Sequence, residues 1–179
     1  VCSSDLDVAQ DIISTHGHVD MVVANNVYAH IPAIQGITRA ICNVLSNDGV
    51  FIFEVHYLGN VINELQYDMI YHEHLYYYSL LSAMKHFERY GMMVFDVKMV
   101  PIHAGSMRFY VCKKGSKNGC VVSPAVIKLQ NEELAKRFNC SETFARFSTN
   151  IAERKTMLLA LLNKLKKEGR TIAGYGASG

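Results

Sequence analysis

Two short apolar runs constrain this chain most. Val19 to Ala24 ends in Asn25-Asn26, and Val50 to Val55 reads VFIFEV. Runs of this kind mark strands buried within a parallel sheet. Between them, Ile31 to Leu45 carries apolar residues at helical spacing, and Asn47-Asp48-Gly49 is expected to stop the helix. Strand, helix, strand with apolar strands predicts an α/β fold around a parallel sheet. Ligands of such sheets sit beyond the C-terminal ends of the strands. Asn25, Asn26 and His30 occupy that position after the first run, and Glu54, His56 and Tyr57 after the second.

The remaining pattern extends this reading. Val8 to Ser14 reads as the tail of a helix. Ser79 caps a helix, Leu80 to Tyr90, closed by Gly91. Met92 to Val100 and Ser106 to Cys112 are strand patterns joined by a short Pro101–Gly105 segment, so they are expected to pair antiparallel. Residues 19–26, 50–55, 92–100 and 106–112 should therefore share one sheet. Ser123-Pro124 opens another helix to about Phe138, and Ser141 opens a long one to about Glu168, ended by Gly169. Along the latter, Phe144, Phe147, Ile151, Leu158, Leu161, Leu162 and Leu165 recur at three and four, which predicts a core stripe. Thr171 to Gly176 begins a new strand-turn unit. The polar KKGSKNG segment places a domain boundary near residues 113–123.

Composition narrows the function classes. With 179 residues and half of them hydrophobic, the chain can bury one sizeable core. The net charge is +2, and the densest basic cluster (Lys164, Lys166, Lys167, Arg170) complements a helix C-terminus, so nucleic acid is not an expected partner. No apolar run reaches membrane-spanning length and no secretory pattern opens the chain. Five scattered cysteines suit reduced thiols, and a cytoplasmic protein is expected. The opening VCSSDL can be encoded by the end of a common sequencing adapter, so Val1 to Leu6 are expected to be a non-native leader.

The richest stretch for chemistry is IYHEHLYYYSL, Ile70 to Leu80, with two histidines, a glutamate and four tyrosines. These are the side chains of acid/base chemistry near neutral pH. Tyr76, Tyr77 and Tyr78 by themselves read as a half-buried strand or core edge. His72 and His74 would share a face of an extended segment, but two corners do not make a zinc site and no metal is expected. His103 lies in a turn and Arg108 on a strand, where it can pair with a phosphate or a carboxylate.

VVANNVYAHIP, GVFIFEV, YDMIYHEHLYYYSL, PIHAGSMRFYV and TIAGYGASG together span most of the chain. In this order they resemble the sugar C-methyltransferases of the class I S-adenosylmethionine-dependent type, which act on nucleotide-linked keto-deoxysugars. The resemblance implies the C-terminal half of a Rossmann-like methyltransferase sheet, parallel strands finishing in an antiparallel hairpin. It divides the chain into a partial methyltransferase domain (7–115), a helical connector (116–169) and the start of a second Rossmann-like domain (170–179), of which Gly174, Tyr175, Gly176 and Ala177 form the first turn. It also implies His74 as base, with Glu73, Tyr71 and His103 beside it, and Asn25, Asn26, His30 and Glu54 near S-adenosylmethionine. The substrate would be a nucleotide-linked sugar. An O- or N-methyltransferase, a histidine-based metal-dependent hydrolase and a nucleotide-binding module built on the GYGAS turn are the competing readings.

The chain departs from that family in lacking its cysteine-rich zinc module, and no G-x-G-x-x-G precedes residue 19. HAGS stands at 103–106 where the family has HGGS. A piece of a longer enzyme, inactive alone, is the expectation. Isothermal titration of the 179-residue chain with S-adenosylmethionine should accordingly show no micromolar binding, and such binding would mean the cofactor site has been misplaced.

Overall fold

A computed structural model describes residues 4–102, 105–117 and 120–176. Helix α1 (Ser4–His16) precedes strand β1 (Val19–Asn25), helix α2 (Ile34–Val44), strand β2 (Leu45–His56) and the short helix α3 (Leu58–Asn63). Helix α4 (Leu80–Glu88), the strands β3 (Met92–Val100) and β4 (Ser106–Lys113), and helices α5 (Pro124–Ala135) and α6 (Ser141–Lys167) follow. One four-stranded sheet has the order β1-β2-β4-β3. β1 and β2 are parallel, and β4 pairs antiparallel with both β2 and β3. The four predicted strands and the antiparallel hairpin are all found.

Strand β2 begins five residues before the expected Val50. Leu45 is already extended as the C-cap of α2 and is fully buried. Lys113 at the end of β4 donates to its carbonyl at 2.8 Å. A contact from the far end of the hairpin thus overrides the turn-like Asn-Asp-Gly segment.

One sheet face carries the core. Phe51, Phe53 and Val55 of β2 and Phe109 and Val111 of β4 meet Phe87 of α4 and Tyr28. The Phe53 and Phe109 rings stack at 4.7 Å, which joins the parallel and antiparallel halves. The expectation that β1 is buried on both sides holds only in part: Met21 and Val23 are 59% and 54% exposed. β1 is an edge strand, and its alternate residues project to the face opposite the core.

Local signals set the ends of the helices. The Ser79 hydroxyl accepts from Ser82 N and the Ser82 hydroxyl accepts from Ser79 N, a reciprocal cap at the start of α4. Gly91 supplies the positive φ that ends it. At α5 the Ser123 hydroxyl accepts from Val126 N, and Pro124 takes the first helical position. Helix α5 lies against β3 and α4, within the first of two compact units, Val1–Cys140.

The second unit, Ser141–Gly179, is built on α6, which Gly169 closes with a positive φ. Its predicted core stripe is not buried: Phe144, Leu158 and Leu161 are exposed, and Phe147, Ile151, Leu162 and Leu165 are half-buried. The 3.6-residue period made the face apolar without specifying what covers it. Residues 170–176 form no regular element, and Ala177 lies outside the described residues. Among the described residues no helix is long and apolar enough to cross a membrane.

Tyr78 is buried against the aromatic core, and its hydroxyl has no hydrogen-bond partner among the described residues. A buried polar atom left unmatched costs about 1–3 kcal/mol. Tyr78→Phe should therefore leave thermal stability unchanged or raise it, whereas Ser79→Ala should lower it by about 1 kcal/mol. Thermal melts of the two variants check this. A destabilised Tyr78→Phe would show that the hydroxyl is satisfied after all.

Candidate active site

The site forms where β1 and β2 end. Asn26 takes a left-handed conformation (φ 52°), which asparagine tolerates better than most residues. Its N–H donates to the Glu54 carbonyl at 2.8 Å, so the chain leaves the ladder at this residue. A short 3-10 turn, Tyr28–His30, follows. Tyr28 drops fully buried into the core, and its hydroxyl lies 3.3 Å from His86 Nε2. With Tyr28 fixed, Ala29 and His30 face the loop from Leu58 to Tyr78. The Ala29 carbonyl accepts from Leu75 N and Tyr76 N at 3.1 and 3.2 Å. His30 Nδ1 donates to the Glu73 carbonyl at 2.7 Å.

The result is a cleft of about 240 Å³ walled by Asn26, Ala29, His30, Val55, His56, Met69, Tyr71, Glu73 and His74. His74 is its chemical centre. The His74 ring lies 4.9 Å from the His30 ring and 4.3 Å from the Tyr71 ring. Its Nδ1 is 3.2 Å from the Met69 carbonyl, and its Nε2 is 3.0 Å from the Tyr71 hydroxyl. A carbonyl only accepts, so Nδ1 carries the proton and Nε2 keeps its lone pair toward Tyr71. The Nδ1 contact goes to a main-chain carbonyl, and the Glu73 side chain is exposed.

Burial lowers the His74 pKa below the ordinary histidine value, and the nearby His30 and His56 lower it further. The Met69 carbonyl and the Glu73 charge act the other way. The balance leaves His74 neutral at pH 7, the form able to take a proton.

The other predicted residues separate. Tyr71, Glu73, His74, Asn26 and His30 share the cleft. Asn25 is exposed at the end of β1, outside the lining. Glu54 is also outside it. Its Oε2 accepts from Arg108 Nε and Nη2 at 3.1 and 2.8 Å across the β2–β4 pairing, so Arg108 has found a carboxylate rather than a phosphate. His103 lies outside the described residues. His72 sits in a turn, exposed, rather than on an extended segment with His74. Among the described residues no three His, Cys, Asp or Glu side chains converge as metal ligands.

The tyrosine run is a set of anchors. Tyr76 donates to the Pro32 carbonyl, Tyr77 to the Met69 carbonyl, and Tyr78 enters the core. His56 had been placed after the second strand with no role assigned to it. It is buried in the cleft wall, with Nε2 3.1 Å from Gln66 Oε1. Its place two residues beyond Glu54 on β2 was the available signal.

This is the geometry of an α/β chain with an acid/base cleft at its strand ends. Residues 101–179 match the family model of the C-methyltransferase C-terminal domain. Over 171 residues the chain is 31% identical to the C-methyltransferase NovU of Streptomyces niveus, covering 96% of this chain and 40% of that protein. Residues 101–179 thus carry the likeness to the C-methyltransferase C-terminal domain, and the chain as a whole is similar to part of a C-methyltransferase. It spans 40% of the length of that curated relative.

Among solved structures, the chain is similar to an O-methyltransferase of neocarzinostatin biosynthesis in complex with S-adenosylmethionine. The identity is 16%, over 52% of this chain and 28% of the other, with a TM-score of 0.42. It is also similar to the magnesium protoporphyrin IX methyltransferase of Synechocystis with bound S-adenosylhomocysteine. Here the identity is 14%, over 59% and 49% of the two chains, with a TM-score of 0.42.

Imidazole NMR of the chain should show His74 titrating below pH 6.5. Tyr71→Phe, which removes the donor at Nε2, should shift the His74 resonances while leaving His86 unchanged. A His74 midpoint at or above 6.5 would contradict the burial described for it.

Proposed function

We propose that the cleft is the acid/base half of an S-adenosylmethionine-dependent C-methyltransferase acting on a nucleotide-linked keto-deoxysugar. The observation that carries this reading is His74: a partly buried imidazole in a defined tautomer, with its free lone pair directed to a tyrosine hydroxyl. Methylation at carbon requires a carbanion equivalent. Beside a ketone, a C–H bond breaks, its electrons pass into the enolate, and the proton goes to Nε2 of His74. Tyr71 is placed to turn its hydroxyl from Nε2 to the developing enolate oxygen. His30 and Glu73 hold the loop against the strand end, so that the keto group is presented in one orientation.

When bound, S-adenosylmethionine would supply the methyl group to the enolate carbon, its sulfonium C–S bond being the one lost. A cleft of about 240 Å³ lined by imidazoles, a hydroxyl and the Asn26 amide fits this reacting centre. It is smaller than the roughly 300–1,000 Å³ of a site that encloses a whole ligand. Asn26 and His30 are the residues here that would border the methionine end of the cofactor. Asn25 lies one residue away on the exposed strand end, and Glu54 is engaged by Arg108. His103 is assigned to the substrate side on its family position alone. A nucleotide-linked substrate places the reaction in the cytoplasm.

In a full-length enzyme carrying these residues, His74→Ala should lower methyl transfer by at least about a hundredfold, the usual contribution of a general base. Its affinity for S-adenosylmethionine should not change. Product analysis separates the readings: a methyl on ring carbon supports the proposal, and one on oxygen or nitrogen replaces it with an O- or N-methyltransferase. Full activity of His74→Ala would remove histidine from the mechanism.

A further inference from the structure

The Leu58–Tyr78 loop supplies Met69, Tyr71, Glu73 and His74 to the cleft, and its two ends are tied together by a residue from outside it. Glu133 of α5 is 1% exposed. Its Oε1 accepts from the Tyr57 hydroxyl at 2.9 Å and from Leu80 N at 2.7 Å, and its Oε2 accepts from Leu81 N at 2.8 Å. Tyr57 is the last residue before the loop, and Leu80 and Leu81 begin the helix after it. A second tie lies beside the first, from Leu58 N to the Tyr78 carbonyl at 3.0 Å. We infer that Glu133 is a positioning residue for the cleft: its carboxylate clasps the start of the loop to its end and so sets the span across which His74 meets His30.

The chemistry suits a clasp. The first N–H groups of a helix have no partner within the helix, and its dipole favours an acceptor there. Ser79 takes Ser82 N, and Glu133 takes Leu80 N and Leu81 N, so the first turn of α4 is fully matched. Capping alone would not require Tyr57. The Tyr57 ring nevertheless lies back over Gly59, where a Cβ would fall inside it, and brings the hydroxyl to Glu133. Burial and the Glu133 charge push the Tyr57 pKa far upward, so this hydroxyl stays a donor. Holding the ends together spares the loop much of the entropy that it would otherwise regain by opening.

The inference rests on reading the His74 cleft as the site, but its test does not depend on catalysis. In the 179-residue chain, Glu133→Gln puts an amide with one acceptor oxygen where three donors converge. Hydrogen exchange at Leu58, Leu75 and Tyr76, none of which bonds to Glu133, should accelerate about tenfold. Phe53 and Phe109 in the sheet should keep their rates. In imidazole NMR the His74 midpoint should rise toward the ordinary value as the loop admits water, with His86 unmoved. Tyr57→Phe, the milder variant, should accelerate Leu58 while leaving Leu80 and Leu81 protected. Unchanged loop amides, equal acceleration of loop and sheet, or a silent Tyr57→Phe would each overturn the clasp. A protein that shows the predicted exchange yet transfers no methyl group to carbon would overturn the proposed reaction and leave this inference standing.

Discussion

The site depends on the packing of one tyrosine. Tyr28 has no exposed surface, and its ring meets Phe51, Phe53 and Phe87 at centroid distances of 5.4, 4.9 and 6.0 Å. Burying an aromatic ring of this size contributes more than any hydrogen bond in the cleft. That burial fixes the 3-10 turn after β1. The turn in turn presents the Ala29 carbonyl, which holds the loop, and the His30 ring, which faces His74. The polar geometry is therefore secured by an apolar contact one residue away, and the cleft residues need contribute little stability themselves.

The buried carboxylates near the His74 cleft are each matched by donors. The one buried carboxylate at the end of β2, Glu54, is matched by Arg108 on the neighbouring strand, and Glu133 is matched by three donors. Three imidazoles then line a cleft whose sole carboxylate side chain, Glu73, is exposed. The His74 ring loses part of its hydration there, which is why burial dominates its behaviour, with the Glu73 charge acting the other way.

Much of the fold was legible because its signals are local. The Ser79 and Ser123 caps, the Gly91 and Gly169 stops and the short hairpin join are each set by a few neighbouring residues. The early start of β2 was not legible, since the contact from Lys113 comes from far along the chain. On α6, periodicity gave an apolar face but not a buried one. For the site, the strand-end rule and the motif resemblance brought Asn26, His30, Tyr71 and His74 to one place. Asn25, one residue before Asn26, stays outside the cleft because alternation along a strand separates neighbours, and Glu54 is held by Arg108 on the next strand. Glu133 gave no signal: a glutamate on a helix with charged neighbours reads as solvent-facing, and only the three-dimensional approach of α5 to α4 buries it.

The acceptor that orients His74 is the carbonyl of Met69, and every amino acid has one. Substitution at position 69 can reshape the cleft wall but cannot delete that acceptor while the backbone keeps its path. A carboxylate in the same role would be exposed to loss by a single codon change and would leave a trace wherever related chains are aligned. Here the proton on Nδ1 is guarded by the path of the backbone. Variation at position 69 would thus say little about whether the His74 tautomer is still correctly set, whereas insertions or deletions between Met69 and His74 would say a great deal.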